Sequence, residues 1–370
     1  MIVIKNISIA ELPAFLDSQE YKAMPEIPIS RHRGISHYNN RCAKPEDKIL
    51  FLAYEETKFV GYLGAMPDEL TFNKKTIQVA WLSCMWVDTS QRGKGIAPML
   101  LSHAHKTWNG NLLITNFIPL AKRAYDKTGL FTEFKSLPGV RGYLRFNLTE
   151  ILISKKPDFQ KIKWLLKTID GGLNIVNEIR LLRWRLKLNV KNISFEFVRD
   201  IDSDILKLIE TQNYTHLAPK NVRYFHWLMQ FPWILEGPFE DENSKRYAFS
   251  SVRKDFSQYY VKILDADKIP VAFVILTKRD GQLKTPYLYF NERYTEIVYK
   301  FILALALKKG IKTITTYNPL ISKRALTSWN PFILTRKLNY RILISKDLKE
   351  KLGNTGDYIL IEGDGDAAFV

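Results

Sequence analysis

The sequence predicts an α/β protein, with α and β mixed, built as two similar domains. Each is expected to be a central mixed sheet flanked by helices, and a helical connector joins them. Three observations carry this reading. Strand-like and helix-like segments alternate through residues 1–150. The same alternation restarts at Ile193. Between them the character changes: residues 151–200 hold 11 Lys+Arg against 5 Asp+Glu, an excess as large as that of residues 201–370. The expected boundaries are 1–150, 151–192 and 193–370.

Composition narrows the function classes. At about 150 residues per domain, 370 residues suit two domains. With 46% hydrophobic and 25% charged residues, the chain can bury large cores. Cys42 and Cys84 are too few for a disulfide scaffold or a Cys-rich zinc module. The start, MIVIKNISIAEL, lacks the basic-then-apolar order of a secretory signal. No apolar run approaches the ~20 residues of a membrane span, so a soluble cytoplasmic protein is expected. The net charge of +17 calls for a partner: nucleic acid, an anionic membrane surface or a polyanionic small molecule.

In the first domain, Met1–Ile7 reads as a strand and residues 8–19 as a helix. Ser8 and Glu11 have capping-box spacing. Residues 25–47 are polar and turn-rich. Residues 49–54 and 59–65 read as a hairpin about Glu55–Lys58. Residues 76–87 are apolar almost throughout, as in a strand buried on both faces. After the glycines of QRGKGIAP, Ile96, Leu100, Ala104 and Trp108 recur at helical spacing, and Gly110 stops the helix. Residues 112–115 form a strand, 120–128 a helix ended by Gly129, and 141–148 an edge strand.

The connector reads as two amphipathic helices, 159–169 and 173–188, broken at Gly171-Gly172. Its Lys and Arg residues are expected on a solvated face. In the second domain, strands are expected at 195–199, 259–264, 271–276, 287–290 and 312–317, and helices at 205–212 and 294–309. Residues 114–131, ITNFIPLAKRAYDKTGLF, resemble residues 316–332, TYNPLISKRALTSWNPF. Each follows a helix–glycine–strand unit, which argues for duplication.

The strongest chemical signal is Arg92-Gly93-Lys94-Gly95-Ile96-Ala97, between a buried strand and a helix. Glycines admit a ligand close to the backbone, and free N–H groups at a helix start bind anions. It is neither a Walker A loop nor a full GxGxxG fingerprint. With the strand before it, and with Asn116, Tyr125 and Gly129-Leu130-Phe131 after it, it resembles the GNAT superfamily of acyl-CoA N-acyltransferases. Arg92, Gly95 and Ala97 match that family's R/Q-x-x-G-x-G/A pattern. The whole chain then looks like a tandem GNAT pair whose second repeat has Phe290-Asn291-Glu292-Arg293-Tyr294 in place of the glycine loop.

The resemblance implies acetyl-CoA as co-substrate. Arg92, Gly93, Lys94, Gly95, Ile96 and Ala97 would hold its pyrophosphate. Pantetheine would lie along Met85, Trp86 and Val87 where that strand splays from the next, with Asn116 beside it. Tyr125 would be the catalytic acid for the leaving thiolate. No metal is called for. Many family members place a carboxylate base in the strand before the loop; residues 79–87 contain none, so the base is open. The second domain, lacking the loop, is expected on the acceptor side. The expected reaction is N-acetylation of an amine, with an amino sugar of surface polysaccharide assembly as the acceptor. Tandem GNAT pairs also include aminoacyl-tRNA-dependent transferases, and the basic connector keeps tRNA as an alternative partner. A non-catalytic binding protein on the same scaffold is the third reading.

Lesser candidates complete the list. His32 is a conceivable base in a solvent-facing loop. His103 and His105 fall on different helix faces and make no metal pair. Tyr224, Trp227, Trp233 and Phe239 are either core or a sugar-stacking platform. Gly363-Asp364-Gly365-Asp366 starts like a calcium loop, but only seven residues follow Gly363, short of a twelve-residue EF-hand loop.

Overall fold

The computed structural model describes residues 1–115, 117–188, 194–212, 214–237, 245–327 and 329–369, with the backbone alone at Ser154. The first half runs β1 (Ile2–Ser8), α1 (Leu12–Asp17), α2 (Gln19–Ala23), α3 (Arg31–Tyr38), β2 (Lys48–Glu55), β3 (Lys58–Phe72), β4 (Lys75–Val87), α4 (Ile96–Thr107), β5 (Leu112–Ile114), α5 (Pro119–Thr128) and β6 (Phe131–Tyr143). Then come α6 (Leu148–Lys155) and α7 (Lys163–Lys187). The second half runs β7 (Ser194–Phe197), α8 (Ser203–Glu210), α9 (Val222–Gln230), β8 (Phe256–Leu264), β9 (Pro270–Arg279), β10 (Gln282–Phe290), α10 (Thr295–Lys308), β11 (Thr313–Thr316), α11 (Pro319–Ala325), β12 (Leu334–Ser345) and α12 (Lys346–Leu352).

The chain forms two compact units, and they do not follow the sequence linearly. Unit 1 comprises Met1–Leu137, Asn213–Phe256 and Tyr340–Val370; unit 2 comprises Pro138–Gln212 and Ser257–Asn339. The boundaries read from sequence, 1–150, 151–192 and 193–370, therefore shift. Residues 213–256 and 340–370 join the first unit, and the connector joins the second. Long-range strand pairing, which composition does not reveal, decides this.

Within unit 1 the strand order is β1-β2-β3-β4-β5-β12. β4 and β5 pair in parallel, through α4, and β12 closes the sheet antiparallel to β5 at Leu343↔Ile114. Within unit 2 the order is β7-β8-β9-β10-β11-β6, with β10 and β11 parallel, through α10, and β6 antiparallel to β11. The two halves thus share one plan, and the strand that closes each sheet is supplied by the other half of the sequence. The expected edge strand at 141–148 is instead β6, ten residues earlier and paired along Val140–Tyr143. Its Gly142 lies against the Phe332 ring, where a Cβ would collide.

Both faces of the unit 1 sheet are covered. On β2, Phe51 and Ala53 pack in the cluster of α4, while Leu50 and Leu52 pack with Leu12, Phe15 and Ile27 on the other face. α10 is apolar around most of its circumference and is correspondingly buried in the unit 2 core. α7 departs from expectation: it is one helix through Gly171-Gly172, despite a cost of about 1 kcal/mol per glycine relative to Ala. Contacts at every turn hold it. Asp170 accepts from Leu148 N and Thr149 N, Asn174 pairs with Phe146, Asn177 Nδ2 donates to Leu144 O, and Trp184 meets Trp329 edge-on.

The Ser8–Glu11 box forms, although the helix starts later, at Leu12. Glu11 Oε2 accepts from Ser8 N at 2.7 Å and from Ser8 Oγ at 2.6 Å, and Glu11 N donates back to Ser8 Oγ. These bonds, with Lys48 after them, hold the Glu11 carboxyl down at about 2 from 4.5. A depressed carboxyl stabilises the fold above its unfolded value and loses that contribution as pH falls from about 4.5 toward 2. Ser8→Ala should cost about 1 kcal/mol at neutral pH and flatten the loss of stability over that acid range; urea melts across pH check both.

Candidate active site

β4 is shaped by its two neighbours. Toward β3 the register runs Gly64↔Ser83 and then Tyr62↔Trp86, so Leu63 alone faces Cys84 and Met85. This is a β-bulge. Cys84 has φ +53, a left-handed backbone uncommon outside glycine. Glycines make room: a Cβ at Gly64 would lie 2.9 Å from Ser83 O. Toward β5 the parallel ladder runs Ala80↔Leu112, Trp81↔Leu113 and Leu82↔Ile114, and stops there. β4 continues to Val87, so Ser83–Val87 have no strand on that side among the described residues. That is the splay the family resemblance implied. Met85 and Val87 pack into the α4 cluster, and Cys84 and Trp86 into the opposite one, where Trp86 stacks on Tyr62.

The glycine loop follows directly. Asp88 Oδ1 accepts from Ser90 N and starts a short 3₁₀ turn, Thr89–Gln91. Gly93 and Gly95 have φ +90 and +81, and a Cβ on either would meet nothing within 4 Å. Among the described residues none accepts from the backbone N–H of Gly93, Gly95, Ile96 or Ala97. α4 thus opens on free donors at its positive end, with Pro98 next and no N–H to satisfy. Lys94 Nζ lies 3.3 Å from Glu55 Oε1, an exposed pair that balances part of the loop's charge. Asn116 lies outside the described residues.

Tyr125 sits on α5, 6% exposed, with its ring edge-on to Phe117 and Phe131. Burial first, then Asp366 and Cys84, push its phenol well above the ordinary 10, so it stays protonated. The GDGD segment is no cation loop. Gly365, φ +72, lets the backbone approach Trp81 and Thr115 closely, and Asp366 Oδ1 accepts from Thr115 Oγ1 at 3.3 Å. Asp364, fully buried, accepts from Ile361 N and meets His216 Nε2 at 3.0 Å. A carboxylate therefore stands beyond the end of β5, although the sequence of β4 offers none.

α3 adds a second group that sequence reading missed, since residues 25–47 looked like an extended loop. Arg33 is buried, donating from Nη1 to Cys84 Sγ at 2.6 Å and to Tyr247 Oη at 3.1 Å, and from Nη2 to Ser83 Oγ at 2.9 Å. Its guanidinium stacks 3.8 Å from the Trp233 ring centroid. Burial opposes its charge, but Cys84, Tyr247 and Asp366 outweigh burial and keep it ionised. His32 is not solvent-facing; its Nε2 lies 2.8 Å from Trp233 O. His37 stacks on Trp233, and burial and then Arg33 hold it well below 6.5, so it is neutral. Tyr224, Trp227 and Trp233 are all at most 5% exposed and belong to the core, Trp233 stacking on Phe369. Phe239 lies outside the described residues. His103 and His105 part as expected, to Asn6 and Asp347.

Beneath the tail lies a buried ion pair. Lys220 Nζ meets Asp68 Oδ2 at 2.6 Å with both side chains at most 5% exposed, and Trp81 Nε1 donates to the same oxygen at 2.9 Å. Asp68→Ala would leave a buried ammonium unpaired and should cost about 3–5 kcal/mol, whereas replacing both partners by apolar residues should cost much less. Chemical denaturation of the single and double variants checks this.

Residues 46–129 match the model of the acetyltransferase (GNAT) domain. No curated protein matches the sequence. Among solved structures, a probable N-acyltransferase of Enterococcus faecalis V583 is 9% identical, covering 94% of this chain and 74% of its own, with a TM-score of 0.48. N-myristoyltransferase of Saccharomyces cerevisiae, solved with bound myristoyl-CoA, is 10% identical over 93% and 82%, with a TM-score of 0.49. A putative acetyltransferase of Pyrococcus horikoshii is 12% identical over 100% and 96%, with a TM-score of 0.47. The bulged and splayed β4 and the glycine loop lie within residues 46–129, the stretch of this chain that matches the acetyltransferase (GNAT) domain.

Proposed function

We propose that the protein transfers an acetyl group from acetyl-CoA to an amine. The observation that carries this is the β5-side edge of β4 at Ser83–Val87, which has no strand beside it among the described residues, followed by the unpaired N–H groups of Gly93, Gly95, Ile96 and Ala97. It offers N–H groups to a polyanion at one end and an open strand edge beside it. Met85, Trp86 and Val87 would take the pantetheine arm, and Arg92, Gly93, Lys94, Gly95, Ile96 and Ala97 the pyrophosphate. The amine nitrogen bonds to the thioester carbonyl carbon, the C–S bond breaks, and Tyr125 supplies the proton to sulfur. Backbone N–H groups near the bulge stabilise the oxyanion. Asp366 is the carboxylate best placed to take the amine proton, directly or through water. Burial makes Tyr125 a weaker acid than a free phenol, so its donation depends on the charge developing on sulfur.

The acceptor proposed is a primary amine, and an amino sugar is the first to assay. Tyr224, Trp227 and Trp233 are core residues and lend no stacking platform to that choice.

Acetyl-CoA should raise the melting temperature, with about 2.7 kcal/mol of stabilisation at a hundredfold excess over Kd. Gly95→Ala should lower stability by about 1–2 kcal/mol through its left-handed φ, and Gly95→Glu should abolish the acetyl-CoA shift. A wild-type protein that shows no shift at saturating acetyl-CoA would refute the reading. With acetyl-CoA and glucosamine or another accepted amine, Tyr125→Phe should lower kcat by about 10²–10⁴ with little change in KM for acetyl-CoA. Asp366→Asn should lower kcat/KM for the amine most at pH values where the amine is protonated. An unchanged pH profile would remove Asp366 from the role.

A further inference from the structure

α7 was expected to turn a basic face to solvent and bury its apolar residues. Most of its basic residues are exposed, but so are many of its apolar ones. Its inner face is fixed by Leu166, Asn177 and Leu181, which are buried. The outer face carries Trp164, Ile175, Ile179, Leu182 and Leu186, which are 70%, 73%, 60%, 54% and 77% exposed. Their spacing of three, four or seven to eleven residues aligns them on one stripe of a 25-residue helix, about 37 Å long. Isolated exposed apolar residues need no account, but the run Ile175, Ile179, Leu182 and Leu186 on one face, with Trp164 three turns before it, does.

The charges around the stripe say what it meets. Rotating at 100° per residue places Arg183 along one border and Lys167 along the other, with Lys187 and Lys163 farther round the helix. Lys163, Lys167 and Arg183 are exposed and have no carboxylate partner among the described residues. Glu178, the acidic residue nearest the stripe, is taken by Arg145 at 2.6 Å. An outward apolar stripe bordered on both sides by unpaired cations is the pattern of a helix lying in a lipid headgroup layer. There the apolar side chains enter the acyl boundary, Trp164 sits at the interface, and the basic side chains reach the phosphates. Two copies of α7 facing each other would instead bring these cationic borders together.

We propose that α7 docks the protein onto an anionic phospholipid surface, its outer stripe inserted and Lys167, Arg183 and their neighbours on the headgroups. This holds whether or not the acetyl-CoA reading is correct, because no residue of unit 1 takes part.

Sedimentation of the full chain with vesicles tests it. Binding to phosphatidylcholine vesicles containing phosphatidylglycerol should exceed binding to phosphatidylcholine alone by about tenfold or more, and should weaken with salt. Lys167→Ala and Arg183→Ala should each weaken it about fivefold. Ile179→Glu with Leu186→Glu should abolish it without lowering the melting temperature, since both positions are exposed. Equal binding to the two vesicle types, no binding to either, or binding untouched by the glutamates would overturn the proposal. So would a dimer of the free protein, seen by sedimentation velocity, that the glutamates dissociate, because the stripe would then belong to a second copy.

Discussion

β5 stops bonding to β4 at Ile114 while β4 continues to Val87, and the edge of Ser83–Val87 that has no strand on the β5 side among the described residues is the constraint that unit 1 is arranged around. Unpaired peptide groups are costly to bury. The bulge at Cys84 turns part of this stretch, Arg33 reaches Ser83 and Cys84 from the other face, and the tail segment around Gly365 packs against Trp81 and Thr115. What stays open leads to the glycine loop. Removing strand pairing at one place thus creates both the need for supporting side chains and the room for a ligand.

Those supports are expensive in charge. Arg33, Asp68, Lys220 and Asp364 are all buried. Each is tolerated because it is bonded by several groups at once, as Asp68 is by both Lys220 and Trp81. Such groups specify one arrangement of α3, β3 and the tail, since any slip leaves a charge unpaired. A site that must hold a bulged strand in a left-handed conformation benefits from surroundings with few alternatives.

Much of this was legible in the sequence, for identifiable reasons. α5 ends at Gly129 and the turn after α4 passes through Gly110, and the positive φ of both is a local requirement that a residue name announces. β4 was visible because a strand buried on both faces is apolar throughout. The loop from Arg92 to Ala97 was visible because glycines at a strand–helix junction are rarely idle. What was not legible depends on partners far away in the chain. Arg33 in a polar stretch gives no sign that Cys84 and Tyr247 lie 51 and 214 residues later in the sequence. Asp366 drew no role because the segment, set aside as too short for a calcium loop, gives no sign that two aspartates and two glycines here build a tight, buried turn. The glycine pair in α7 looked like a break because local propensity was weighed without the contacts that hold the helix on both sides of it.

The exchange of closing strands has a consequence for how the protein is made. As the chain leaves the ribosome, the residues that bind the glycine loop's helix and the bulged strand emerge within the first third. The sheet they belong to lacks its last strand, β12, until residues 334–345 have been made. In the meantime β5 presents an unpaired edge, and β6, already made, has to wait for β11 before it can pair. Neither half is a self-sufficient module, and the cell must carry an open-edged sheet until β12 is made. A gene fragment ending near residue 150 would therefore yield an aggregation-prone chain rather than a smaller enzyme.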